Sequence, residues 1–197
     1  SRGLGDVYKR QLVLSTGQKL SPRDDRDMKK KLAKVDKYQR RLSKKKIGSN
    51  NFAKVKTKLS KAHVQVVDAR KDWIHKTTTQ LVKEFDVVCI EDLNVRGMTR
   101  SARGKGRKAK AGLNRRVLEQ SFAEIRRCLE YKSRDYGGEV VAIDRFFPSS
   151  KTCSSCGCIN KSLTLSQRFW TCPRCQEHLD RDINAAKNIQ AAGLAVI

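Results

Sequence analysis

The sequence predicts an α/β fold with a small metal-held module near its C-terminal end. Three observations carry that prediction. Two compact apolar runs, "FDVVCIED" and "EVVAID", have the length and composition of buried strands. Long stretches of helical periodicity precede and separate them. Four cysteines then fall in two C-x2-C pairs.

Taken in order, "LVLSTGQKL" (12–20) reads as a short strand, a Ser-Thr-Gly turn and a second short strand. A long basic stretch follows, with fourteen Lys/Arg and one acid, Asp36, between Lys29 and Lys61. Leu32, Val35, Gln39 and Leu42 lie at helical spacing, with Gln39 as a flaw in the apolar stripe. "IGSNN" breaks the pattern, and Asn51 is the expected cap of a second helix. Phe52, Val55, Leu59, Ala62 and Val66 resume the period, which continues through Trp73, Ile74, Thr77 and Leu81. The expectation is a helical hairpin with one apolar and one strongly basic face. Solvated surface helices usually mix signs, so the near absence of acids points to phosphate contact.

"VVCI" suits a buried strand whose carboxyl end delivers Glu91 and Asp92 to a cleft. Residues 96–116 carry nine Lys/Arg, no acid and four glycines, and are expected to form a mobile loop that orders on nucleic acid. Val117, Leu118, Phe122, Ile125 and Leu129 mark one further amphipathic helix, stopped by Gly137 and Gly138. "EVVAID" (139–144) is a strand, the cysteine module follows, and an Ala-rich helix closes the chain.

The chain has 197 residues and a net charge of +24, from 44 Lys+Arg against 20 Asp+Glu. Such charge costs self-repulsion unless a polyanion cancels it, and nucleic acid is the expected partner. The expected backbone contacts on the helical hairpin are Arg40, Arg41, Lys44, Lys45 and Lys46. Along the basic loop they are Arg96, Arg100, Arg103, Lys105, Arg107, Lys108, Lys110, Arg115 and Arg116. No apolar run approaches the ~20 residues that span a bilayer, and no secretory signal is legible.

Cys153, Cys156, Cys172 and Cys175 have the spacing C-x2-C-x15-C-x2-C. Each pair places two thiolates on one side of an ion, and four soft ligands suit zinc. Four cysteine ligands leave no open position, so the zinc is expected to be structural. Gly157 and Pro173 fit tight knuckles, and Cys158 is a spare thiol beside the first. Cys89 and Cys128 read as core residues, and His63, His75 and His178 show no ligand spacing.

Glu91 and Asp182 stand out by position, one after a strand and one at a helix start. Carboxylates brought together repel unless a divalent cation lies between them, and Mg²⁺ takes oxygen ligands of this kind. Taken alone, Asp180 and Asp182 equally suit helix capping, and Asp92 equally suits a place in water.

"VVCIEDLNVRGM", "IDRFFPSSKTCSSCG" and "CPRCQEHLDRDINAAKNI", in that order, closely resemble TnpB proteins. These form the OrfB zinc-ribbon family of transposon-encoded proteins, often called transposases and related to compact type V CRISPR nucleases. "QRRLSKKKIGSNNFAKVKTKLSKAH" and "ARKDWIHKTTTQLV" resemble that family's helical insertion, so the likeness covers about residues 12–192. The resemblance implies a RuvC-like nuclease domain of RNase H-like fold. Three acids would bind Mg²⁺ and cut DNA under the direction of a guide RNA, which reads the target by base pairing. Glu91 corresponds to the family's second acid and Asp182 to its third, with Asp180 the poorer match. It also implies a prokaryotic, cytoplasmic protein associated with nucleic acid.

The family's first acid lies in a "G-I-D-x-G" strand just before the segment matched by "LVLSTGQKL". Here that place holds "SRGLGDVYKRQ". "DVYKRQ" reads as a translation of GAT GTG TAT AAG AGA CAG, the end of an adapter used in preparing sequencing libraries. Residues 1–11 are therefore expected to be an assembly scar. Asp6 falls one residue from the expected position, and a one-residue slip on a strand turns the side chain to the other face.

The expected organisation is a RuvC-like core over 12–149 lacking its first strand, with a basic hairpin insertion at 28–84. A zinc ribbon at 150–178 and a final helix and tail at 179–197 complete it. A chain with two of three acids is expected not to cut. The alternative is a non-catalytic zinc-ribbon accessory protein that only binds nucleic acid.

Overall fold

The computed structural model describes residues 12–22, 24–101, 107–119, 121–164 and 166–197. The expected scar, Asp6, Arg103 and Lys105 lie outside these residues. The chain divides into two compact units, one of residues 1–20 with 78–197 and one of residues 21–77.

The 21–77 unit is a helical hairpin of α1 (Arg26–Ser43) and most of α2 (Asn50–Glu84). Asp25 caps α1, its carboxylate accepting from the backbone N–H groups of Asp27 and Met28 at 2.7 and 2.9 Å. The two N–H groups hold the Asp25 carboxyl below the usual range. Met28 and Val35 of α1 pack with Ala62 and Val66 of α2, flanked by Leu32, Tyr38, Leu59 and Ala69. The expected apolar stripe therefore forms, with Gln39 exposed and Tyr38 taking a place beside the seam. Asn51 is not the cap of α2: it lies inside the first turn, and Ser49 Oγ accepts the Phe52 N–H at 3.1 Å. The interruption before it is a turn at Gly48, whose φ of +85° favours glycine. The expected insertion, 28–84, differs from this unit at both ends, because the last turns of α2 belong with the other unit.

The larger unit is built on β3 (Val87–Glu91) and β4 (Glu139–Ile143), paired in parallel from Val87↔Glu139 to Glu91↔Ile143. Parallel neighbours need a crossover, and α5 (Phe122–Tyr136) supplies it. Gly137, at φ +76°, ends α5, as the sequence predicts. At the other end of the chain, α6 (Arg181–Leu194) packs on both strands. β1 (Leu12–Val13) and β2 (Lys19–Leu20) form the expected antiparallel hairpin around Gly17. The end of α2 is tied to α5 by Lys132, a buried amine donating to the hydroxyls of Thr78 and Thr79 at 2.9 and 2.7 Å. Burial lowers the Lys132 pKa.

Two expectations for the middle of the chain are corrected. The mobile loop over 96–116 is in part helical: α3 (Val95–Met98) and α4 (Arg107–Glu119) form there. Ala, Lys and Arg are strong helix formers, which outweighs the single glycine in α4. The single helix expected from Val117 to Leu129 is two helices, because Ser121 takes a left-handed conformation (φ +55°) between α4 and α5.

Close packing of α6 on β3 requires Gly193. A Cβ there would lie 2.4 Å from Cys89 Sγ, whereas one at Gly112 of α4 meets nothing within 4 Å. Gly193→Ala is expected to destabilise the chain by about 1–3 kcal/mol. Gly112→Ala is expected to stabilise it by up to about 1 kcal/mol through helix propensity. Thermal denaturation of the two variants checks the contrast.

Candidate functional site

The cysteine module begins as a pair of matching knuckles. In the first, Gly157 N–H donates to the Cys153 carbonyl and Cys153 N–H to the Cys158 carbonyl, both at 2.9 Å. In the second, Gln176 N–H donates to the Cys172 carbonyl at 3.0 Å and Cys172 N–H to the Glu177 carbonyl at 2.9 Å. The fourth residue after each leading cysteine is left-handed, Gly157 at φ +73° and Gln176 at φ +60°. The sequence reading found the glycine and missed Gln176, because glutamine carries no signature of that conformation.

β5 (Phe169–Thr171) and β6 (His178–Asp180) pair across the second knuckle, and a bridge between Thr152 and Ile159 closes the first. The Sγ atoms of Cys153, Cys156, Cys172 and Cys175 lie within 4.8 Å of one another. Cys153–Cys175 and Cys156–Cys172 are both 3.6 Å apart. Four thiolates around a tetrahedral ion with metal–sulfur bonds of about 2.3 Å would be about 3.8 Å apart. The cluster could therefore hold a metal, and Cys158 stands outside it. Backbone N–H groups of Cys175 and then Arg174 hold the Cys172 thiol down to about 6. Beneath it lies a small core of Leu163, Trp170 and Leu179.

β6 runs directly into α6, so Asp180 ends the strand and caps the helix. Its carboxylate accepts from the N–H groups of Asp182 and Ile183 at 2.9 and 3.2 Å, and from Lys19 Nζ at 2.7 Å. Asp180 is thus committed. Asp182, one residue into the helix, is partly exposed and faces a cavity of about 800 Å³.

Glu91, at the carboxyl end of β3, lines the same cavity. Burial raises its pKa. Asp92, the neighbouring acid, is held by Arg126 Nη1 at 2.6 Å and by Arg145, which keep its carboxyl below the ordinary range. Arg126 and Arg168 line the cavity too. Arg168 Nη1 lies 3.9 Å from Asp182, and its Nη2 is buried with no hydrogen-bond partner among the described residues. Neither arginine was foreseen: nothing in the spacing of Arg126 or Arg168 links it to the acids.

The cations expected to meet nucleic acid fall into three groups. Arg40, Arg41, Lys44, Lys45 and Lys46 are exposed at the end of α1 and in the turn after it. Arg96, Arg100 and Arg107 are also exposed. Lys110 is committed to structure, donating to the Met98 carbonyl at 2.7 Å, while Asn114 one turn later donates to Thr99 at 2.6 Å. The side chains of Lys108, Arg115 and Arg116 lie outside the described residues. Among the described residues, no helix is long and apolar enough to cross a membrane.

Two family models match the chain. One, described as "Probable transposase" (OrfB_IS605), matches residues 11–102, and the other, "Cas12f1-like, TNB domain", matches residues 122–189. A protein of Streptomyces pristinaespiralis is 43% identical over 93% of this chain and 43% of its own length. InsQ of Escherichia coli K12 is 41% identical over 85% of this chain and 42% of its own length. Both bear the name "Putative RNA-guided DNA endonuclease". The chain thus spans about two fifths of the curated relatives it matches. Among solved structures, the Cas12f1 chain of a complex with sgRNA and target DNA matches with a TM-score of 0.56. That match has 23% identity and covers 87% of this chain and 34% of that one.

Proposed function

The chain belongs to the OrfB/TnpB family, and on that premise we propose that it is the nuclease portion of an RNA-guided DNA endonuclease. The observation that carries the reading is the shared cavity: Glu91 and Asp182 come from elements 91 residues apart in sequence and face one space. The fold is read as RuvC-like, of the RNase H-like class. Its core is 12–149 with the basic insertion, followed by a zinc ribbon over 150–178 and a final helix over 179–197.

Two carboxylates are hard oxygen donors, so Glu91 and Asp182 fit Mg²⁺. The four thiolates of Cys153, Cys156, Cys172 and Cys175 fit structural zinc. Bound Mg²⁺ supplies the positive charge that a phosphodiester needs as it is cleaved. The chain's own residues do the rest. Glu91 and Asp182 fix where that charge sits. Arg168, whose buried Nη2 has no partner among the described residues, and Arg126, aligned by Asp92 and Glu130, offer hydrogen bonds to phosphate oxygens. The exposed cations of α1 and α3 hold nucleic-acid backbones without reading bases, leaving sequence recognition to a guide RNA. The setting is the cytoplasm of a prokaryotic cell.

In a full-length protein carrying this segment, Glu91→Gln is expected to abolish guided cutting while leaving guide-RNA and target binding unchanged. Gel-shift and cleavage assays run side by side check it. Undiminished cutting by Glu91→Gln would sink the nuclease reading, and loss of binding together with cutting would favour the accessory-protein alternative.

A further inference from the structure

"DINAAKNI" places Asn184 and Asn188 one helical turn apart, on the same face of α6. Both are buried, at 1% and 7% exposure. A buried amide is costly unless its donors and acceptor are met, so such a pair in an Ala-rich helix calls for partners. The partners lie in the approach to the first cysteine knuckle. Asn184 Nδ2 donates to the Thr152 carbonyl at 2.7 Å and to the Ser149 carbonyl at 3.4 Å. Asn188 Nδ2 donates to the same two carbonyls, at 2.6 and 2.8 Å. Asn184 Oδ1 accepts the Ser154 N–H at 2.8 Å, inside the knuckle between Cys153 and Cys156.

The second knuckle reaches α6 by another route. Cys172 follows β5, which pairs with β6 in the register Phe169↔Asp180, and Asp180 is the cap of α6. The Arg181 N–H donates to the Arg168 carbonyl at 2.7 Å, extending that tie into the first helical turn. The first turn of α6 is thus gripped from both sides, by one knuckle through Asn184 and by the other through the strand pair. The cluster of four cysteines is where the two sides are joined. Asp182 sits in that turn, two residues before Asn184.

We infer that Asn184 and Asn188 are positioning residues that couple the cysteine cluster to Asp182, so that metal at the cysteines sets the affinity of the carboxylate cleft for a divalent cation. The cause lies in the hydrogen bonds above. The consequence for the cleft rests on the proposed roles of Glu91 and Asp182. Coupling between two ligand sites is reciprocal: whatever factor one metal applies to the other's affinity is returned.

The test uses the whole 197-residue chain, zinc-loaded and zinc-stripped, with Mn²⁺ as the probe of the cleft. Hydrogen exchange is followed at residues 181–184, and Mn²⁺ affinity is measured by electron paramagnetic resonance. Stripping zinc is expected to speed exchange in this turn and to weaken Mn²⁺ binding at least about fivefold, with Mn²⁺ tightening zinc by the same factor. Asn184→Ala is expected to keep one zinc per chain, to show faster exchange at 181–184 in the zinc-loaded state and, with the strand-pair route remaining, to lose much but not all of the zinc dependence of Mn²⁺ affinity. Asn188→Ala, which leaves the Ser154 contact in place, is expected to keep part of it. Unchanged exchange at 181–184 on stripping the wild-type chain overturns the coupling. So does a full zinc dependence in Asn184→Ala. If the zinc-loaded wild type binds no Mn²⁺, the carboxylate reading fails, and the exchange data still decide the coupling.

Discussion

Removing zinc is expected to unfold residues 150–180 while leaving exchange in α1 unchanged. The module cannot hold itself together by burial. Its core is Leu163, Trp170 and Leu179 with the thiols of Cys153 and Cys172, and its strand pair is three residues long on each side. Segments of that size need a staple. A structural zinc is worth about 10–16 kcal/mol at neutral pH in comparable small domains, more than the whole stability of many proteins. Cys172→Ser is therefore expected to lose the metal and the ordered module together. Cys158→Ser is expected to retain one zinc per chain, since Cys158 stands outside the cluster and serves the knuckle through its backbone carbonyl. Metal must displace protons from the thiols, so zinc affinity falls as pH falls. Elemental analysis and hydrogen exchange at matched pH check both variants. A Cys172→Ser chain with one zinc and native exchange would overturn the assignment. The α1–α2 hairpin has its own apolar seam, Met28, Val35, Ala62 and Val66, and no cysteine.

The parts of this molecule that were legible beforehand are those written in one local pattern. "VVCI" and "EVVAI" were legible as strands because their runs are short, apolar and β-branched, and they pair in parallel, but apart from Ile143 they are half-buried or exposed rather than buried as expected. The two C-x2-C pairs foretold the cluster because knuckle geometry is itself local. What was not legible depends on partners distant in sequence. α4 was hidden because glycines and charges over 96–116 suggest a loop, while Lys110 and Asn114 find carbonyls of the preceding segment only in three dimensions. The break at Ser121 was hidden because the apolar period runs across it. Asp180 and Asp182 were equivalent as letters, and the hydrogen bonds from Asp182 N–H, Ile183 N–H and Lys19 separate them. Arg168 gave no signal at all, since what sets it apart is its place beside Asp182, with a buried donor that has no partner among the described residues.

Mn²⁺ binding to the cleft is expected to fall more than about 100-fold in Glu91→Gln, since even loss of an outer-shell partner costs about 10–100-fold in metal affinity. The same substitution is expected to raise the melting temperature of the metal-free chain near neutral pH. The two effects have one origin. Burial raises the Glu91 pKa, so a charged Glu91 is held in the folded state at a cost absent in the unfolded chain. The folded state then binds more protons between the unfolded and folded pKa values, and stability falls as pH rises through that interval. The cost is complete above the folded pKa and vanishes below the unfolded one. A glutamine amide never charges, so the gain from Glu91→Gln is expected at neutral pH and should disappear in acid. Protons and metal compete for the same carboxylate, so wild-type Mn²⁺ affinity is expected to decline with acidity at a pH above the ordinary glutamate range. Asp182→Asn removes the partner ligand without removing the desolvated charge, so it is expected to lose Mn²⁺ and gain nothing comparable in melting temperature. Parallel Mn²⁺ titrations and melting curves from acid to neutral pH separate the two residues. A Glu91→Gln chain no more stable than wild type at neutral pH would mean that the charge is well solvated, and the cleft would lose its claim to be a prepared metal site.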